Sequence, residues 1–102
     1  MNVMLNEIAN FIKDKFHAKK VILFGSYAYG TPTEDSDIEL FVIMNTSMRL
    51  PKQAAAIRIE LDKYFNIKKP MDIIVRTPEF VNERYKEGDF YIKDILEKGI
   101  EL

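Results

Sequence analysis

Apolar positions between residues 3 and 16 recur at helical spacing. Leu5, Ile8, Ala9, Ile12 and Phe16 share one face, while Glu7, Lys13 and Asp14 fall elsewhere, which predicts an amphipathic helix. Residues 21–24, VILF, are a continuous apolar run ended by Gly25-Ser26, the pattern of a buried strand. Ser26 to Tyr29 fits one turn of a short helix, and Gly30-Thr31-Pro32-Thr33 is a loop by composition. Asp37 to Met44, rich in Ile, Leu, Phe and Val, reads as a second strand that Asn45-Thr46-Ser47 ends.

Residues 51–65 return to the helical period. Pro51 suits the first turn, and Ala54, Ile57, Leu61, Tyr64 and Phe65 form the stripe. Met71 to Val75 is a third strand. Thr77-Pro78-Glu79 starts a helix, with Thr as cap, Pro at the first helical position and an acid in the first turn. Gly88 breaks it. Asp89 caps a last helix whose face is Ile92, Ile95 and Leu96, and Gly99 closes it. The order is α-β-(short α)-β-α-β-α-α, an α/β (α+β) class with a small mixed sheet flanked by helices. A helix joins the second and third strands, so that pair is expected to be parallel. The link between the first two leaves either orientation open.

The 102 residues make one domain, 1–102, with no repeat, low-complexity segment or long linker. At 47% hydrophobic and 30% charged residues the chain is too apolar for disorder. Its net charge of −1 gives no bulk attraction to nucleic acid or an anionic membrane. The Lys pairs at 19–20 and 68–69 read as solvated strand entries. Cysteine is absent, which removes disulfides, Cys-based zinc sites and thiol catalysis, and fits a reducing cytoplasm. The opening MNVMLNEIANFIKDKF has no basic leader before an apolar run, so no signal peptide is expected. No apolar run approaches the ~20 residues that span a bilayer.

Chemistry concentrates in residues 21–44 and 71–75. On a strand, residues two apart share a face, so Asp37 and Glu39 point one way while Ile38, Leu40 and Val42 face the core. Two adjacent carboxylates repel, and apolar neighbours offer them nothing. A divalent cation reverses the sign, and Mg²⁺ is commonly held by one or two carboxylates with water and phosphate filling its other positions. Asp72 is the one charged residue between Pro70 and Val75. As a buried acid it needs a cation: a metal, or Lys68, Lys69 or Arg76. Gly25 permits close backbone approach, and a helix beginning just after a strand presents N–H groups to an anion, with the Ser26 hydroxyl as a further donor. No G-K-[ST] follows, so this is not a P-loop. A phosphate-sized turn beside three acids is the layout of a site for a metal-bound nucleoside triphosphate.

Gly25-Ser26, ten residues, then Asp37-Ile38-Glu39 resembles the signature of the nucleotidyltransferase superfamily that includes DNA polymerase beta. The leading helix, LFGSYAYG, SDIELFV, MDIIV and the ending ILEKGIEL are similar to its smallest members, the minimal nucleotidyltransferases that serve as antitoxins to HEPN-domain toxins. The resemblance implies a nucleotidyltransferase fold. It implies that Gly25 and Ser26 cradle the triphosphate of ATP, that Asp37, Glu39 and Asp72 hold Mg²⁺, and that Asp72 alternatively activates the acceptor hydroxyl. The reaction implied is transfer of AMP to a hydroxyl, a tyrosine of a HEPN toxin partner, in the cytoplasm. The chain departs from the pattern twice: Glu39 stands where Asp is usual, and Tyr29 where the turn often carries Arg. These departures leave an inactive antitoxin that neutralises by binding alone as the alternative. A domain this short has no second lobe, so a partner is expected to complete the site.

Other residues read as structural. His17, the single histidine, follows Phe16 where a cation suits a helix end. Tyr27 and Tyr29 read as packing residues, Tyr85 and Tyr91 as helix-face residues, and the five methionines as core filling.

Overall fold

The computed structural model describes residues 3–102, with side chains from Met4 onward. The leader reading falls partly on Met1 and Asn2, outside the described residues. The elements are α1 (Val3–Phe16), β1 (Lys20–Phe24), α2 (Ser26–Tyr29), β2 (Ile38–Ile43), α3 (Leu50–Tyr64), β3 (Met71–Arg76), α4 (Pro78–Lys86), α5 (Phe90–Lys98) and β4 (Ile100–Glu101). The strands form one mixed sheet in the order β3-β2-β1-β4. β2 and β3 are parallel, as a helical crossover requires. β1 runs antiparallel to both β2 and β4, which resolves the orientation left open by the sequence.

Both faces of the sheet are covered, which explains why β1 and β2 are apolar at nearly every position. One face carries Val21, Leu23, Ile38, Leu40 and Val42 against α1 and α3, through Leu5, Ile8, Ile12, Ile57 and Leu61. The other carries Ile22, Phe24, Phe41 and Ile43 against Val81 of α4 and Ile92 and Ile95 of α5. This second cover thins toward the start of β2, where Glu39 is half-buried, and Asp72 beside it on β3 is exposed.

Several expectations change in detail. In α3 the buried positions are Gln53, Ile57 and Leu61, whereas Tyr64 is exposed. Gln53 tolerates burial because its Oε1 accepts from the Thr46 hydroxyl at 2.7 Å. Tyr64 instead lays its ring against Phe11, centroids 5.3 Å apart. Thr77 caps α4 by accepting from the Phe80 N–H, and Asp89 caps α5 by accepting from Tyr91 and Ile92. Gly99 closes α5, though not by left-handed geometry: its φ is −68°. A Cβ there would overlap the Ile95 carbonyl and the Ile22 side chain, so glycine is needed where the chain passes over β1 into β4. β4 itself was not anticipated. Its two residues pair with Ile22 and Leu23, a contact with no local signal. His17 ends α1 in the left-handed region, φ 58°. No described helix is long and apolar enough to cross a membrane.

Candidate active site

The site forms where β1 ends and β2 and β3 begin. β1 delivers Phe24 into Gly25, whose φ of 77° and ψ of −154° lie in a region essentially reserved for glycine. The chain then makes the single turn of α2. Ala28 and Tyr29 donate their N–H groups to the Gly25 carbonyl at 3.0 and 3.1 Å, and Gly30 donates to Ser26 at 3.2 Å. The N–H groups of Ser26 and Tyr27 have no acceptor inside so short a helix.

The loop from Gly30 to Asp37 is exposed except for half-buried Ser36, and is tied down at two points. Ser36 Oγ accepts from the Thr33 N–H at 2.9 Å, and Lys69 Nζ donates to the Glu34 carbonyl at 3.2 Å. Lys69 also lies over the Tyr27 ring, 6.0 Å from its centroid. Lys69 is therefore a loop clamp rather than a solvated strand entry. The Ile38 N–H donates to the Pro70 carbonyl at 2.9 Å, which fixes the register of β2 and β3 from their first residues.

That register sets Glu39 directly beside Asp72 on β3 and beside Phe24 on β1. Neighbours in register point to the same face, so the two carboxylates stand side by side. Asp37 precedes β2 as the last loop residue instead of opening the strand, and it is exposed. Asp72 is exposed too, which corrects the expectation of a buried acid: β3 is the edge strand, and α4 and α5 do not cover its start.

Among the described residues none of the three acids has an ion pair or hydrogen bond. The cations that were candidates for Asp72 are either directed elsewhere or unengaged with it: Lys69 reaches Glu34, and Arg76 donates to the Val75 carbonyl at 2.7 Å. Burial, then the charge of Asp72, then that of Asp37 push the Glu39 carboxyl above its ordinary range. The Glu39 carboxylate leans on the Gly25 turn, where a Cβ would overlap it. Gly25 thus serves both its own backbone angle and the close approach of Glu39.

Among the described residues no three His, Cys, Asp or Glu side chains converge as a closed metal site. The donor set still fits Mg²⁺. It consists of hard carboxylate oxygens, two of them adjacent in register and all lacking a counter-cation, and Mg²⁺ takes its remaining oxygens from water and substrate phosphate. The structure therefore brings Glu39, Asp72 and the Gly25-Ser26 turn together, with Asp37 within electrostatic range of Glu39.

Tyr91, expected as a helix-face residue, lies on α5. Its ring meets Phe24 edge-on at 6.2 Å. Burial, then the charge of Glu39, raise its phenol pKa, with Tyr29 and Asp72 adding and Arg76 opposing. Asp89 as cap marks a helix start at Phe90, but nothing in the sequence tells which part of the sheet that turn overlies.

The family model of the nucleotidyltransferase domain matches residues 5–102. The chain belongs to the nucleotidyltransferase family. Two curated relatives from Methanocaldococcus jannaschii (strain ATCC 43067 / DSM 2661 / JAL-1 / JCM 10045 / NBRC 100440) are similar to it. One, named "Putative protein adenylyltransferase MJ0604", is 46% identical over 41 residues, 38% of this chain and 41% of that protein. The other, "Putative protein adenylyltransferase MJ1379", is 46% identical over 39 residues, 38% of this chain and 39% of that protein. The matches thus span about two-fifths of those relatives' lengths. No solved structure matches the chain significantly. Among the described residues, the four-stranded mixed sheet with five helices agrees with the nucleotidyltransferase fold.

Proposed function

We propose that this chain is a Mg²⁺-dependent adenylyltransferase that moves AMP from ATP to a hydroxyl of a partner protein. Family membership gives nucleotidyl transfer and a nucleotide substrate. The observation that carries the finer reading is Glu39 beside Asp72, next to the Gly25-Ser26 turn, with no counter-cation among the described residues. The names of the two relatives favour a protein acceptor.

In this reading the Gly25-Ser26 turn holds the triphosphate through backbone N–H groups and the Ser26 hydroxyl. Asp37 and Glu39 would hold the metal, which would supply neutralisation of phosphate charge and polarisation of the reacting phosphorus, leaving Asp72 to act as base instead of as a third ligand. The acceptor oxygen attacks the α-phosphorus, and the bond to the bridging oxygen breaks in line. Pyrophosphate leaves, and Asp72, the more exposed of the register pair, accepts the acceptor's proton and passes it to water. Positioning and charge neutralisation carry the rate, as in phosphoryl transfer generally. The finest form of the reading makes the acceptor a tyrosine on a HEPN-type toxin and the chain its antitoxin.

One observation favours a second reading. The Glu39 carboxylate rests against Gly25, and no three-ligand cluster forms among the described residues. A chain arranged this way would neutralise its partner by binding alone. The deciding experiment supplies α-labelled ATP and Mg²⁺ with lysate or cognate partner, alongside Asp37→Ala. Label on a discrete protein, lost in the variant, supports transfer. An unlabelled partner that the chain still neutralises supports binding alone.

A further inference from the structure

We propose that Tyr91 is an adenylylation site on this chain itself, its hydroxyl taking AMP from ATP bound at the adjacent acids of the same molecule. This rests on the adenylyltransferase reading and extends it to a second acceptor.

The chain has five tyrosines, and their surroundings separate them. The Tyr85 hydroxyl is engaged, donating to Glu97 at 2.8 Å. Tyr64 stacks on Phe11 at the face of the sheet opposite the acids. Tyr27 is half-buried against that same core and lies under Lys69. Tyr29 is exposed, and its ring contacts no other ring among the described residues. Tyr91 alone combines a position on the acid-bearing face, a ring held by a neighbour and an unengaged hydroxyl. Its ring is held edge-on by Phe24, and Phe24 is the cross-strand neighbour of Glu39. Its backbone N–H is held by Asp89 Oδ1 at 2.9 Å. Tyr91 is 53% exposed, so it is open to a ligand from solvent. Among the described residues its hydroxyl has no hydrogen-bond partner.

A hydroxyl carried on the same face as the acids, on a ring packed against the cross-strand neighbour of Glu39, gains the effective concentration of an intramolecular reaction once a nucleotide is bound there. Tyr91 Oη forms a bond to the α-phosphorus, the α–β bridging bond breaks, and pyrophosphate departs. The phenol proton passes to a neighbouring carboxylate and on to solvent. No other reactant is needed.

The test incubates the full chain with Mg²⁺ and α-labelled ATP, alone and with lysate, and reads intact mass and peptide mapping. The expected result is one AMP per chain, mapped to Tyr91, with a first-order rate independent of protein concentration. Tyr91→Phe keeps the ring on Phe24 and should lose the label, as should Asp37→Ala. Both variants are checked for folding by circular dichroism. Lysate protein labelled while the chain stays unmodified, or is modified at Tyr29, overturns self-modification and leaves the transferase reading intact. A rate proportional to protein concentration overturns the same-molecule route. No label on any protein, with no binding of ATP and Mg²⁺, overturns both readings together.

Discussion

Gly25, in the turn that follows β1, and Glu39 on β2 are matched: the Glu39 carboxylate fills the space that a Cβ on residue 25 would need. The residue that shapes the turn therefore also admits the acid. Gly25→Ala meets two penalties, a backbone region essentially closed to L side chains and the overlap with Glu39. We expect a loss of about 2 kcal/mol or more in urea unfolding. Adding Glu39→Ala should recover the overlap and leave the backbone strain. Unfolding of Gly25→Ala at the wild-type midpoint would refute this coupling.

The acids predict a pH dependence of definite sign. Glu39 has its folded pKa raised by burial, Asp72 and Asp37. Over the interval between its unfolded and folded values the folded chain keeps a proton that the unfolded chain has released. Stability from this group is therefore full below the ordinary glutamate range and declines as pH rises through the raised value. Glu39→Gln should be more stable than wild type at neutral pH and should lose that decline. Unfolding curves across pH check it, and a steeper decline in the variant would show that another group is responsible.

Metal supply should act on the same charges. With three uncompensated carboxylates, Mg²⁺ is expected to raise the melting temperature of the wild type and to have little effect on Asp37→Ala combined with Asp72→Ala. Chelation should abolish transfer, and Asp37→Ala should lower it by about 100-fold or more without unfolding the domain. Removing one of several repelling acids costs no packing. Thermal melts with and without Mg²⁺, read beside the transfer assay, separate a lost ligand from a lost fold.

What the sequence discloses follows the range of the interactions involved. The caps at Thr77 and Asp89 were legible because each acts on N–H groups two or three residues away. The parallel pairing of β2 with β3 was legible because a helix separates them. That pairing sets Glu39 beside Asp72, whereas the approach of Gly25 and Ser26 to Glu39 depends on the antiparallel β1–β2 pairing, whose orientation the sequence leaves open. β4 was not legible, since two residues, Ile100 and Glu101, are strand only by virtue of Ile22 and Leu23 far back in the chain. Asp72 was expected inside because its neighbours are apolar. Edge position, which no local pattern encodes, leaves it outside. Tyr91 is legible as a helix-face residue, but not its contact with Phe24, which comes from the packing of α5 on the sheet.

The edge of β3 supports a last prediction. Pro70 and Arg76 give their carbonyls to Ile38 and Met44 of the β2 side, so the alternate residues Met71, Ile73 and Val75 turn theirs outward. Two of these outward carbonyls are covered by guanidinium groups. Arg58 donates to Met71 at 3.4 Å, and Arg76 donates to Val75 at 2.7 Å. Asp62 holds Arg58 in place at 3.1 Å. A six-residue edge strand with four apolar residues is a template for another strand, and covering its acceptors with charge is one way to prevent pairing. Arg58→Ala should therefore leave stability within about 1 kcal/mol of wild type while promoting self-association. Light scattering over a concentration series should show it for Arg58→Ala, more weakly for Asp62→Ala, and not for wild type. Association unchanged in Arg58→Ala would mean that the Arg76 cover and the exposed charge of Asp72 suffice to close the edge.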